Sequence, residues 1–576
     1  MKLTVVRRAP SSAALQRLAH LPPVLARAYA ARGIEDPAQL SIGLDRLLPV
    51  GTLEGIDAAV RLLLQHRERR SRILVVGDFD ADGATSSALI VRALRAWGYP
   101  EVDFLVPNRF EFGYGLTPEI VAIAAEREPA LIITVDNGIS SIAGVSSARE
   151  RGIDVLVTDH HLAGHELPMA NVIVNPNLAG ATFGSRSLAG VGVAFYVMAA
   201  LYRSLGDSAL PSPATWLDLV ALGTVADIVP LDQNNRVLVA QGLQRIRAGR
   251  CTPGVRALLE TGGKLLGNVI ATDLGFVAGP RINAAGRLDD MSIGIRCLLT
   301  DSAEEATLIA QRLDELNRER RSIEGAMQEQ AMAAVRRLGE PGHDRRGVCL
   351  FDSEWHQGVV GLVAGRVKER VRRPVIAFAR AGDGSLRGSA RSVAGVHVRD
   401  VLEAISTRTP GLIVRFGGHA MAAGLTLEED KLDQFAAEFD REVTLWQAGG
   451  SLADRIDSDG ELAVDEISLK TAEILREAGP WGQAFPEPSF DQSFRLRNVR
   501  IVGENHIKMW VELGDTGRRF DAIAFNALQG RPDRLDASGK PVLPDQVHLV
   551  YRLDINEWGG ERRLQLMVDH LLESSP

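Results

Sequence analysis

Cysteine is scarce, with Cys251, Cys297 and Cys349 the only three in 576 residues. An odd count at no metal-ligand spacing excludes a disulfide framework and a thiolate metal site, and it points to a reducing cytoplasm. Long apolar runs are missing too. A membrane-spanning helix needs about 20 consecutive apolar residues, and the richest segment, Val191 to Leu201, is shorter and contains Gly192. Met1 to Pro10 lacks the apolar core of a secretory signal, so no membrane association is expected. Glycine-rich phosphate loops are also lacking: Gly263-Lys264 is followed by Leu265, and no G-x-G-x-x-G opens a helix after a strand. ATP and dinucleotides are therefore not implied.

A basic surplus is absent as well. The net charge of −8 argues weakly against a nucleic-acid partner, because polyanion binding needs positive surface. Total charge is a poor witness, since carboxylates concentrated in one site would hide basic residues concentrated elsewhere. Arg318, Arg320 and Arg321 form one such run, and Arg366, Lys368, Arg370, Arg372 and Arg373 another. A charge run is usually a solvated helix face, so location decides the role of each.

What the chain does have is a repeated pattern at strand ends. Ile73-Leu74-Val75-Val76 reads as a buried parallel strand and delivers Asp78-Phe79-Asp80-Ala81-Asp82-Gly83. Leu131 to Val135 delivers Asp136-Asn137-Gly138, and Val155 to Thr158 delivers Asp159-His160-His161. The carboxyl edge of an open α/β sheet is where ligands bind. One Asp at a strand end is most often a helix N-cap, but three strands in series favour a shared site. Clustered carboxylates raise one another's pKa unless cations neutralise them. Oxygen ligands with one or two imidazoles suit Mg²⁺ or Mn²⁺, and paired ions are the usual apparatus of phosphodiester hydrolysis. The calcium-loop reading of Asp78-x-Asp80-x-Asp82-Gly83 fails, because its twelfth position is Leu89 and a strand precedes it.

With 45% hydrophobic and 24% charged residues, the chain can bury several cores. Residues 1–50 read as a helical lead-in, Ala13 to Arg32, broken by Pro22 and Pro23. Strand-helix alternation over 51–300 predicts a doubly wound parallel sheet. It includes a helix from about Thr215 to Leu222, followed by Gly223 to Pro230 as a loop that carries Asp227. Ala303 to Arg337 predicts a long connecting helix within 301–346, with a linker after it. An α/β domain spans 347–450 and contains the Gly417-Gly418-His419 turn, which can bring amides and an imidazole against a phosphate. Alternating short strands over 455–576 suit a small barrel of the OB type, a common single-strand binding fold.

The strings Gly77 to Gly83, Val135 to Gly138, Thr158 to His161 and Gly223 to Asp227 resemble the four metal motifs of the DHH phosphoesterase superfamily. Gly417 to Gly424 is similar to the signature of its accessory DHHA1 domain. Gly479-Pro480-Trp481-Gly482, Pro486-Glu487-Pro488 and Asn556-Glu557-Trp558 narrow the resemblance to the RecJ family of bacterial single-strand-specific DNA exonucleases. The likeness runs from about residue 50 onward. It departs at Ala484-Phe485, where the family more often shows Gly-Asn.

The resemblance implies an exonuclease that releases 5′-mononucleotides from single-stranded DNA in the 5′-to-3′ direction, in repair and recombination. Asp80, Asp82, Asp136, His160 and Asp227 would hold two Mn²⁺ or Mg²⁺ ions, with Asp136 a candidate bridge and Asp78 at a position that often carries a ligand. His161, oriented by Asp159, would assist proton transfer or bind phosphate. Arg109, Arg281, Ser389 and Arg391 match family positions implied to hold a terminal 5′-phosphate, and Gly418 and His419 belong to the accessory signature. A single-strand-binding protein and a RecQ-type helicase are the implied partners, and a monomer the expected state. A DHH enzyme acting on small nucleotides or pyrophosphate would share the metal cluster but have no use for the tail. A non-catalytic DNA-binding relative would have lost acids that are all present here.

Overall fold

The structure is a computed structural model, and it describes residues 4–106, 115–338, 345–447, 455–529, 534–557 and 561–573. The chain forms two compact units. The first comprises Met1–Ile282, Met291–Gln311 and Asp454–Pro576, and the second comprises Asn283–Asp290 and Arg312–Ala453.

In chain order the strands are β1 (Thr4–Arg7), β2 (Arg72–Gly77), β3 (Glu101–Leu105), β4 (Leu131–Val135), β5 (Asp154–Thr158) and β6 (Val172–Val174). They continue with β7 (Val348–Phe351), β8 (Val375–Arg380), β9 (Leu386–Arg391), β10 (Arg415–Gly418), β11 (Ala422–Leu427) and β12 (Arg455–Ser458). Last come β13 (Phe490–Val502), β14 (His506–Glu512), β15 (Arg519–Ala524), β16 (Gln546–Asn556) and β17 (Arg563–Glu573).

The catalytic-type sheet of the first unit has the order β3-β2-β4-β5-β6, and every pair in it is parallel. β2 and β4 are buried throughout apart from Arg72, as strands covered by helices on both faces should be. Leu74, Val76, Ile132, Val155 and Val157 pack one face against Ile120, Val121 and Val145. The chain leaves β2 for β3 on one side and returns to β4 on the other. A crevice therefore opens at the carboxyl ends of β2 and β4, the switch point where such sheets bind ligands.

The expected loop from Gly223 onward is instead the last turn of a helix, Leu217–Ala226, with Asp227 as its C-cap. Gly223, expected as the first residue of that loop, lies within the helix and allows a close helix contact. A Cβ there would lie 2.2 Å from Thr85 Oγ1 and 2.8 Å from Asp82 Oδ1, so only glycine lets this helix lie against Ala81–Ala96. Ile228, at φ 60°, then turns the chain away. The lead-in also holds more than helix: β1 pairs in parallel with β12, and Pro23 opens its own helix, Pro23–Ala30, at the first-turn position that tolerates proline.

The long helix Ala303–Leu338 forms as expected. In the second unit the sheet order is β10-β11-β9-β8-β7, and Gly417 and Gly418 lie in β10 rather than in a turn. Gly418 has φ 140°, and a Cβ on it would meet Ala422 O and Ala423 Cα at 2.5 Å. Phe378, Phe435 and Phe439 anchor its core. The C-terminal strands close into the barrel β13-β14-β15-β17-β16. Among the described residues no helix is long and apolar enough to cross a membrane.

Candidate metal centre

Asp78 leaves the end of β2. Asp80 is the N-cap of helix Ala81–Ala96, its Oδ1 accepting from the amides of Asp82 at 2.9 Å and Gly83 at 3.0 Å. The cap that a lone strand-end Asp would make is therefore present, and it fixes this carboxylate rather than removing it from the site. Asp82, in the first turn, accepts from the Gly190 amide at 2.6 Å and the Val191 amide at 2.9 Å. Those amides begin helix Gly190–Leu205, so a helix N-terminus supports the buried charge.

Asp136 follows β4 in the left-handed region, φ 59°, where Asp is among the more tolerant side chains. Asn137 donates to the carbonyls of Val76 at 3.1 Å and Val135 at 2.9 Å, tying the two strand ends together. Beyond β5, Asp159 accepts from the Ile139 amide at 2.9 Å, from both histidine amides, and from His161 Nδ1 at 2.7 Å. That bond puts the His161 proton on Nδ1 and turns Nε2 away from Asp159.

These placements converge. His160 Nε2 lies 3.1 Å from Asp136 Oδ1 and 3.6 Å from Asp227 Oδ2. Three donor sets have ligand atoms within 4.8 Å of one another: Asp136 with His160 and His161, Asp82 with His160 and Asp227, and Asp78 with Asp80 and Asp136. The donors are carboxylates and imidazoles, the set that suits a hard or borderline divalent ion.

The electrostatics agree with that donor chemistry. Burial, then the facing carboxylate of Asp80, pushes Asp82 up to about 7. Burial, then Asp82 and Asp80, drives both Asp136 and Asp227 well above the usual carboxylate range. Holding these groups ionised together at neutral pH needs added positive charge, which a divalent ion supplies. Asp159 goes the other way: burial works against its charge, but the His161 hydrogen bond and backbone amides outweigh it. His161 is raised in return, because Asp159 and the nearby Asp78 and Asp80 overcome the burial that opposes imidazolium.

The remaining expected residues divide between the units. Arg281, in the part of helix Gly279–Leu288 that belongs to the first unit, is buried, with Nη1 donating to Val277 O at 2.7 Å. A Cβ on Gly279, at the start of that helix, would lie 3.1 Å from Ala226 Cβ, next to Asp227. In the second unit Gly417, Gly424 and Ser389 align across β10, β11 and β9, and Arg391 Nη1 donates to Ser389 Oγ at 3.0 Å. His419 follows, its amide on Ala422 O at 2.7 Å. Arg109 lies outside the described residues. Of the basic runs, Arg320 is committed to Glu324 and Asn317 at 2.6 Å each, and Arg366 Nε reaches Glu324 at 3.1 Å, so these two serve the fold.

Several supporting residues were not singled out from sequence. Asn175 and Asn177 donate to the carbonyls of His161 at 2.9 Å and His160 at 2.6 Å. A Cβ on Gly190 would lie 2.6 Å from Asp136 Cβ. The run Val172-Ile173-Val174 ending in Asn175-Pro176-Asn177 repeats the strand-end pattern with amides in place of acids, and that was the available signal.

A parallel sheet whose switch point gathers these acids and imidazoles defines the chain as a DHH-class protein. The DHH family, N-terminal domain matches residues 72–224, the DHHA1 domain 344–445 and the RecJ OB domain 458–570. The single-stranded-DNA-specific exonuclease RecJ of Dickeya dadantii is 52% identical over 582 residues, covering 99% of each chain, and that of Escherichia coli is 52% identical over 567 residues, covering 96% of each. This chain belongs to the RecJ family. RecJ of Thermus thermophilus in complex with Mn²⁺ superposes with TM-score 0.82 at 30% identity, covering 100% of this chain and 80% of that one, and the same protein has a structure in complex with Mg²⁺.

Proposed function

We propose that this chain is a divalent-metal-dependent exonuclease that degrades single-stranded DNA from its 5′ end to 5′-mononucleotides, in DNA repair and recombination. The observation that carries the reading is the convergence of four separate sequence motifs on one sheet edge, with Asp136 common to two of the donor sets. Asp78, Asp80, Asp82, Asp136, His160 and Asp227 would hold two Mn²⁺ or Mg²⁺ ions, with Asp136 the candidate to be shared, since it belongs to two of the donor sets. Bound there, such ions supply Lewis acidity, making a water nucleophilic near neutral pH and screening charge on the phosphate.

The chain's own residues do the rest. Asp159 fixes the ring of His161 through Nδ1, so Nε2 is the atom that accepts a proton and, in the imidazolium so formed, donates to a phosphate oxygen. Gly190 and Val191 hold the Asp82 carboxylate in place through their amides. In the first unit Arg281 and Arg109 are proposed as 5′-phosphate contacts, and in the second unit Ser389, Arg391, Gly418 and His419 are proposed separately as phosphate-binding groups, for which guanidinium forks and a hydroxyl are well suited. The barrel is proposed to grip the strand. Half-exposed Trp510 on β14 lies between Arg497 of β13 and Asp521 of β15, an aromatic face open for stacking, while Lys508 and Arg497 beside it are held in ion pairs with Asp521, Glu512 and Asp545.

A cytoplasmic monomer that works with a single-strand-binding protein and a RecQ-type helicase fits this role. The barrel weighs against a hydrolase of small nucleotides or pyrophosphate, which would not need it. The test is Asp136→Ala: loss of Mn²⁺-dependent cleavage with single-strand binding largely intact is expected, and retained metal-dependent turnover would overturn the two-ion assignment.

A further inference from the structure

Three remote segments of the first unit cross at one buried side chain, Arg236. Its Nη1 donates to Leu231 O at 3.1 Å and its Nη2 to Gln39 O at 3.0 Å, and its guanidinium lies 4.3 Å from the centre of the Phe485 ring. Leu231 closes the short segment that begins at Asp227. The same segment is held at two more points: Asn235 Nδ2 donates to Pro230 O at 2.9 Å, and the Leu231 amide donates to Gln483 O at 2.8 Å.

Gln483 belongs to the turn Gly482–Phe485, whose ends exchange backbone hydrogen bonds of 2.9 and 3.1 Å. Phe485 stacks on Trp481 at 5.2 Å and on Tyr29 at 6.2 Å. Arg32 donates to Pro486 O at 2.6 Å and forms a two-point ion pair with Asp459, at 2.8 and 2.9 Å. Asp459 in turn accepts from the Ser489 amide one residue before β13. An unbroken chain of directed contacts therefore runs from the barrel's first strand, through this turn and Arg236, to the segment that starts at Asp227.

We propose that Arg236 is a positioning residue that couples the seating of the Gly482–Phe485 turn to the placement of Asp227 as a metal ligand. It touches neither substrate nor ion; it fixes the far end of the segment whose near end carries the ligand. Supports outside the ligand shell tune metal affinity or activity by about 10- to 100-fold, and one that only places a ligand is expected to act on affinity. Phe485 fits this role, because its aromatic face gives the guanidinium a cation–π partner in a site that burial makes costly for charge.

The inference rests on the metal reading proposed above, and the test separates the two. Mn²⁺-induced rise in Tm, without DNA, and the half-saturating Mn²⁺ concentration for cleavage are measured for wild type, Arg236→Ala, Arg236→Lys and Gly482→Ala. A Cβ at Gly482 would lie 2.7 Å from Leu231 Cδ1, so that last variant presses on the same contact from the other side. Arg236→Ala is expected to raise the half-saturating Mn²⁺ concentration about tenfold and shrink the Tm rise, with the rate at saturating Mn²⁺ nearly kept. Arg236→Lys, without the planar fork, falls between, and Gly482→Ala moves the same way. If Arg236→Ala fails to fold, the other two decide. Wild-type Mn²⁺ responses in folded Arg236→Lys and Gly482→Ala would overturn the coupling, whereas a wild type whose Tm ignores Mn²⁺ would overturn the metal reading beneath it.

Discussion

Gly190 is glycine because Asp136 occupies the space a side chain would need: a Cβ would sit 2.6 Å from Asp136 Cβ and 2.9 Å from its Cα. Alanine is otherwise an excellent helix residue, so Gly190→Ala isolates that contact. Overpacking of this kind costs about 1–3 kcal/mol. Here it would be relieved by moving Asp136, so if that residue is a metal ligand, as proposed, metal-dependent turnover is expected to fall on the order of tenfold or more. Circular dichroism of the variant checks that the fold is kept.

A second residue-scale prediction concerns Asp491. Burial opposes its charge, but hydrogen bonds from Arg7 and Ser458 outweigh burial and hold it below the usual carboxylate range, with His548 assisting. A depressed folded value stabilises the native state above the unfolded value of about 3.9 and loses that contribution as pH falls through the folded one. Tm of the wild type should therefore fall below about pH 4 more steeply than that of Asp491→Asn, although the variant is less stable at neutral pH. Parallel Tm profiles for the two would refute this assignment.

At the scale of elements, legibility depended on whether the information was local. β2, β4 and β5 are largely apolar runs that end in acids, and both the sheet and the gathering of those acids at its edge could be read from that pattern. The last turn of helix Leu217–Ala226 could not, because the contact of Gly223 with Thr85 and Asp82 joins segments remote in sequence. The amides of Gly190 and Val191, and the side chains of Asn137, Asn175 and Asn177, act on partners distant in sequence, which periodicity does not reveal. The pairing of β1 with β12 is of the same kind. Two element-scale tests follow. Trp510→Ala on β14 is expected to weaken binding to long single strands by about 1–3 kcal/mol, roughly 5- to 150-fold in Kd, while cleavage of very short oligonucleotides holds. Arg281→Ala on helix Gly279–Leu288 is expected to slow degradation of 5′-phosphorylated strands far more than of 5′-hydroxyl strands, since a charge-assisted contact is worth about 1.5–3 kcal/mol. Equal losses on both would show that Arg281 serves only the fold, consistent with its bond to Val277 O.

At the scale of the whole molecule, the first unit contains the parallel sheet, the lead-in and the closed barrel together. The lead-in is a fastening between them: Arg7 and Arg32 hold Asp491 and Asp459 at the barrel, while Gln39, Ile42 and Leu48 bond to helix Gln233–Arg247 beside the sheet. The acid cluster at the sheet edge and the closed barrel thus belong to one body. What must hold is that this body degrades single-stranded DNA from the 5′ end with a divalent ion. The decisive experiment is to incubate the purified protein with Mn²⁺ and with 5′- or 3′-labelled single- and double-stranded oligonucleotides, then resolve the products over time. Immediate release of labelled mononucleotide from the 5′-labelled single strand is expected, with a shortening ladder from the 3′-labelled one and duplex left intact. Digestion that starts at the 3′ end, or that proceeds equally on duplex or without metal, would contradict it.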